Sequence, residues 1–545
     1  MTARDFTRVA RAESLIGWTT VTPVTSGEFL SLVPLLLAVF VPASVLVTSF
    51  FIPRRVGFPN VAVKVTTLAA VCAVLAVILH PVLALAGFDS QQKFAGSVMN
   101  DVVQLGLVSS CLFVLVSILA VVVVRFARTY LAGQKELDRF ARAMLLTVAS
   151  ATILTTSNHL AVLVLAWFAT DIGLHQLLTF FRNRRQAIIV AHKKFLLSRV
   201  ADACFVGSLV LVGGELGTLR IDEINAIALK MGSLSPTLHA ATVLLVIGVL
   251  LKSAQIPFHG WMQAVMEAPT PVSALLHAGV VNIGGFVMIR LAPLMMHAYI
   301  AQSILIGVGL FTTVVAALVM TTRVAIKGAL AWSTIGQMGF MLVQCGLGAW
   351  HLALMHLLAP SLYKAHTFLS SGSIVQQWRA NHIIHHHRLR YWHFLGGLIL
   401  VCIAVGPFYL GAKIPALHLD PIVVGPLTLV LALSFAPMVS RALAAGGRTV
   451  LISMLYAVGA TAAYFAWHIG FELLAPQINF HFEPSLVQWE VVVGGLLVLF
   501  LLQTVLQTSP TGWFANRIQP HLVSGLYIDD WVTRVTFRLW PPSIK

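Results

Sequence analysis

The sequence predicts an all-α polytopic membrane protein with about fifteen transmembrane helices. Three observations carry that expectation: an overwhelmingly apolar composition, apolar runs of helix length along nearly the whole chain, and basic residues concentrated in alternate loops. Of the 545 residues, 58% are hydrophobic and 10% charged, with a mean hydropathy of +0.89. That leaves too little polar surface to cover soluble domains of this total length.

A spanning helix needs ~20 mostly apolar residues. Such runs lie near 30–51, 61–86, 102–124, 141–157, 159–180, 187–213, 237–252, 273–295, 302–320, 325–346, 350–376, 393–411, 421–440, 449–471 and 488–506. No long polar stretch interrupts them. The division is therefore an N-terminal segment over 1–28, one transmembrane domain over 29–508 and an amphipathic C-terminal segment over 509–545.

The net charge of +16 would point to nucleic acid in a soluble chain, but its distribution follows topology instead. One set of loops holds Arg54 and Arg55, Arg125 to Arg142, Arg182 to Arg185, Arg323, Arg379 to Arg390, and Arg441 with Arg448. The alternate set is poor in base, with Asp89, Lys93, Asp101, Glu215, Asp222, Glu223, Lys230, Glu472 and Glu483. The positive-inside rule places the basic set and the C-terminus in the cytoplasm and the N-terminus outside. Arg4, Arg8 and Arg11 precede a polar stretch without the apolar core of a signal peptide. The five cysteines fall in apolar segments without paired spacing and predict neither disulfides nor a metal site.

Ionisable groups inside spanning segments are costly and mark function by default. In AWFATDIGLHQLL, Asp171 and His175 share a helix face, either as part of an ion path or as a local hydrogen bond at a helix junction. In HKKFLLSRVAD, Lys193, Lys194 and Arg199 read as cytoplasmic anchors, with Lys193 also a candidate for the ion path and Asp202 a turn deeper within reach of Arg199.

The most informative stretch is LLKSAQIPFHGWMQAVMEAPTPVSALLHAGVV. Lys252 ends an apolar run, and Pro257 lacks an N–H, so a helix break is expected around Lys252. Broken helices at membrane depth line polar cavities and ion sites. Burial penalises a charged ammonium there, which equips the lysine to give up and regain a proton, unless it snorkels to the surface. His277 follows, as a path residue or a satisfied core histidine. In MHLLAPSLYKAHTFLSSGS, His356, Pro360 and Lys364 fall on one face, predicting a second break beside a second buried lysine.

The loop NHIIHHHRLR gathers four histidines without a carboxylate or cysteine nearby, which fits a solvated face or partner contact better than a metal site. No phosphate loop, nucleophile triad or flavin motif appears. Covalent catalysis by this chain is not expected, and neither is a cofactor within it.

KSAQIPFHGWMQAVMEAPTPVSALLHAG, KGALAWSTIGQMGFM and YKAHTFLSSGS resemble the antiporter-like subunits of respiratory complex I and of multi-subunit cation/proton antiporters. The resemblance implies two inverted repeats, each with a broken helix, and a relay of buried lysines and acids. Carried to matching positions, the path includes Lys252, Lys364, His277 and Asp202, with Lys413 after GPFYLGAK as a distal lysine. Complex I relatives carry a Trp-Glu pair in the fifth helix where this chain has Trp167-Phe168. Either Asp171 replaces that glutamate as partner of Lys252, or the pair is lost. The chain also ends before the long lateral helix that the largest complex I subunit carries.

ATDIGLHQLLTFFRNRR, AHKKFLLSRVAD and YIDDWVTRVTFRLWPP resemble the DabB-type subunits of DAB inorganic-carbon accumulation complexes. That resemblance implies a zinc-bearing, β-carbonic-anhydrase-like DabA partner, with H+ or Na+ conducted here to drive it. A proton-pumping subunit of a redox complex, or a Na+/H+ antiporter subunit, is the rival. A passive anchor would gain nothing from buried charges.

Overall fold

The computed structural model describes residues 26–51, 58–86, 102–134, 136–181, 184–264, 267–372, 389–412, 421–474 and 485–541. The expected histidine loop and Lys413 fall outside these residues. Everything described is helix and short connection, apart from two isolated β-bridges.

Six helices open the bundle: α1 Ser26–Phe51, α2 Phe58–Leu85, α3 Leu107–Tyr130, α4 Leu137–Thr156, α5 Leu160–Leu178 and α6 Arg185–Leu216. A short polar helix α7, Ile221–Ala228, leads into α8, Pro236–Lys252, whose Ser235 caps the first turn by accepting from the Leu238 amide. Next come three fragments, α9 Gly260–Ala264, α10 Thr270–Ala278 and α11 Ile283–Arg290, and the one-turn α12 Ala292–Met296. The remaining spans are α13 Tyr299–Met320, α14 Ile326–Gly346, α15 Trp350–Leu369, α16 Tyr391–Ala412, α17 Pro421–Ala445, α18 Arg448–Leu474 and α19 Leu486–Thr508. Two short helices, α20 Trp513–Val523 and α21 Ile528–Leu539, close the chain.

Each predicted apolar stretch is helical over most of its described length. Among the described residues, eleven helices are long and apolar enough to cross a membrane. The stretch over 270–290 is the hub, with 94% of its most apolar window buried, whereas α19 has only 17% of its window buried and presents the rest outward. Tight seams join the layers. At the crossing of α13 and α14, a Cβ on Gly309 would lie 2.6 Å from the Gly339 carbonyl, so only the bare backbone admits that approach.

The break at Lys252 is present. Ala254 takes a left-handed φ of 52°, and the chain stays non-helical until Gly260. Its backbone groups are satisfied internally: the Gln255 side chain donates to the Ser253 carbonyl at 2.9 Å, and the Ile256 amide donates to the Thr312 hydroxyl at 3.2 Å. The break expected at Pro360 is absent, since α15 runs through it. Neighbouring side chains stitch that turn. Ser361 and the Asn282 amide both donate to the Leu357 carbonyl, and Asn282 donates to Ser361 at 2.7 Å. The helix α16 likewise continues through Pro407 to Ala412, so GPFYLGAK is no break before that point. An interruption the sequence reading did not foresee falls at 279–282, where Gly279 ends α10 and a 3-10 turn precedes α11.

Opposite the basic loops, chain segments are stitched edge to edge. Asn158 donates to Val102 at 2.8 Å, Leu160 to Leu219 at 2.8 Å, Ile221 to Asn158 at 2.7 Å, and Arg290 donates to the Ser157 carbonyl at 2.9 Å. Helix order gathers Arg184, Arg323, Arg441 and the C-terminal helices at the other end.

Candidate ion path

The helices α5, α6 and α8 bring five charged side chains together where α8 stops. Lys252 Nζ lies 2.8 Å from Asp171 Oδ2 and 2.7 Å from Asp202 Oδ1. The other oxygen of Asp171 accepts from Lys194 Nζ at 2.5 Å, and Arg199 pairs with Asp202 at 2.9 Å. The row thus reads Arg199, Asp202, Lys252, Asp171, Lys194, with each carboxylate shared by two cations. Aromatic faces complete the enclosure. Lys252 sits 4.9 Å from the Trp167 ring centroid, Lys194 5.6 Å from Trp261, and Arg199 4.1 Å from Phe168. Gly248 makes room, because a Cβ there would press on the Phe205 ring that also faces Lys252.

Asp171, Lys194 and Lys252 are all buried and line one small cavity with Trp167, Trp261 and Val281. Lys252 therefore does not snorkel. Asp171 is its partner, as one reading of the displaced carboxylate anticipated, while His175 packs against Phe195 and its Nδ1 has no hydrogen-bond partner among the described residues. Lys193 stands outside this row: it pairs with Asp529 on α21 at 2.6 Å, and it is Lys194, its neighbour, that reaches Asp171.

Charge counting makes a prediction. With all five groups ionised, the row carries one excess positive charge; Asp171→Asn leaves three cations on one carboxylate. Breaking such a buried arrangement costs about 3–5 kcal/mol, so Asp171→Asn should lower thermal stability markedly as well as abolish transport. Adding Lys194→Met should restore stability, measured by thermal denaturation in detergent. A stable single variant would show that Asp171 does not hold the two lysines.

A second polar group lies between α10, α14 and α15. His277 Nδ1 meets the Thr334 hydroxyl at 3.0 Å, its ring stacks on Phe368 with centroids 4.5 Å apart, and its Nε2 has no partner among the described residues. His277 is therefore only half satisfied as a core histidine. Lys364 is 1% exposed, its Nζ lacks a hydrogen-bond partner among the described residues, and its charge acts on both His277 and His356. His356 Nδ1 lies 3.1 Å from the Gln344 amide nitrogen. The interruption at 279–282 sets Asn282 against Ser361, one turn from Lys364. The run HAGVVNIGG, with three glycines around an asparagine, was the available signal for it.

Over residues 157–417 the chain matches the family described as NADH:quinone oxidoreductase/Mrp antiporter, transmembrane. It is 37% identical over 439 residues to the probable inorganic carbon transporter subunit DabB of Hydrogenovibrio crunogenus, covering 79% of this chain and 82% of that one. To the probable subunit DabB2 of Halothiobacillus neapolitanus it is 38% identical over 441 residues, 79% of each chain. The fold is also that of a chain in the membrane-bound sulfane sulfur reductase, an archaeal respiratory membrane complex, with a TM-score of 0.53 at 17% identity over 93% of this chain and 99% of that one.

Proposed function

Because the chain belongs to the family of DabB-type inorganic carbon transporter subunits, we propose that it is the ion-conducting membrane subunit of a CO2 or bicarbonate uptake complex. The hydration chemistry belongs to a zinc-bearing, carbonic-anhydrase-like partner docked on the basic, cytoplasmic face of a bacterial inner membrane. The observation that carries this reading is Asp171 held between Lys194 and Lys252 at a helix break.

Buried in low dielectric, an unbalanced positive charge is costly, and losing one proton from either lysine neutralises the row. Asp171 then keeps whichever lysine remains charged. A proton arriving at the neutral lysine drives one off elsewhere, which is a relay step without any change in covalent bonding. The onward stations are His277, His356 and Lys364, of which Lys364 has no anion paired with it among the described residues.

The same geometry favours H+ over Na+. Both carboxylates of the row are already capped by ammonium or guanidinium groups, and a desolvated Na+ needs a set of free oxygens that the row does not offer.

Co-expressed with its partner in a bacterium lacking carbonic anhydrase, the chain should rescue growth in ambient air. An uncoupler should stop accumulation of inorganic carbon. Rescue by this chain alone, or accumulation that persists after the proton gradient is collapsed, would overturn the coupling.

A further inference from the structure

The C-terminal helix α21 lies on the surface beside the end of the break, with Val532 buried. Asp529 in its first turn accepts from Lys193 Nζ at 2.6 Å, and Thr533, one turn on, lies 2.6 Å from the same nitrogen. The lysine side chain is 5% exposed and the aspartate 36%, so this pair straddles the boundary between water and the protein interior. Gly260, at the start of α9, admits the contact: a Cβ there would overlap the Asp529 carboxylate. Beside it, His259 is wholly buried, its ring tilted by 50° against Trp332 with centroids 5.0 Å apart, and neither ring nitrogen has a hydrogen-bond partner among the described residues. The charges of Asp529, Lys193 and Arg323 all act on that ring. Trp261, two residues after His259, faces Lys194.

We propose that Asp529, carried by the C-terminal helix, is the port through which protons pass between the basic-face solvent and the buried path, by way of Lys193 and His259. This rests on the proton-path reading above and adds its entrance. Three features require more than a docking salt bridge. A tether would not need a carboxylate half in water against a lysine wholly out of it, nor an unpartnered histidine on the interior side, nor a glycine at the point of contact. A proton taken from water by the Asp529 carboxylate passes to neutral Lys193 or to a His259 nitrogen, and the carboxylate is regenerated. One proton enters and one leaves at each step.

The test uses the full chain with its co-purifying partner in proteoliposomes, with flux followed by a pH-sensitive dye and normalised to assembled complex. Asp529→Asn should reduce flux at least about tenfold, Asp529→Glu should restore most of it with a displaced pH profile, and Asp530→Asn, at the exposed neighbour, should behave as wild type. Lys252→Ala runs alongside as the control for the path itself. If Lys252→Ala abolishes flux while Asp529→Asn conducts normally, the port assignment fails and the path stands; if Lys252→Ala conducts, the path reading fails first. Should Asp529→Asn prevent assembly, Lys193→Gln takes its place, and normal flux there also overturns the port.

Discussion

Replacing Lys364 by methionine is expected to abolish proton transport and, in the same protein, to raise thermal stability. The two effects have one cause. Lys364 Nζ is buried without a hydrogen-bond partner among the described residues, and an unsatisfied buried polar group costs about 1–3 kcal/mol, more when charged. Methionine matches the length of the stem, fills the space and removes the nitrogen, whereas Lys364→Ala would lose the same function and leave a cavity. Thermal denaturation in detergent and dye-detected flux in proteoliposomes report the two halves separately. Retained flux would remove Lys364 from the path; a lowered melting temperature would show that the nitrogen is satisfied in the folded protein.

For Lys252→Ala the expectation is loss of transport with membrane insertion and assembly intact. The remaining charges explain the intact assembly. Without Lys252, Asp171 keeps Lys194 and Asp202 keeps Arg199, so two pairs replace a row of five and no carboxylate is stranded. Transport fails because the shared proton has lost the station that joins the two carboxylates. A flux near wild type would show that protons bypass the break, and a protein that cannot assemble would show that Lys252 holds α8 against α5 and α6.

Much of this was legible in the sequence, for physical reasons that differ by residue. A proline five residues after a lysine at the end of an apolar run points to the break that the chain has at Lys252. Pro360 carries the same local signal, yet α15 runs through it, with Ser361 and Asn282, which is distant in sequence, bonded to the neighbouring Leu357 carbonyl. Lys193 and Lys194 are adjacent in a basic stretch, and neighbours on a helix point about 100° apart. Nothing local says which one faces Asp171. The bond between Lys193 and Asp529 spans 336 positions, beyond any periodicity argument, and the half-exposed aspartate reads in sequence as an ordinary first-turn acid.

The stitched segments opposite the basic loops have a mechanical consequence. Where Leu160 is bonded to Leu219, Ile221 to Asn158 and Arg290 to Ser157, the ends of α5, α6 and α11 are pinned to one another. Any rocking of α6 must then pivot at that end, and Lys194 rides about 30 Å along the helix from it, so a tilt of about 5° carries the lysine about 3 Å. That travel matches the scale of its contact with Asp171. The long helix is a lever with its fulcrum at the far surface, and a partner bound near α21 would push on the arm where the mechanical advantage is greatest.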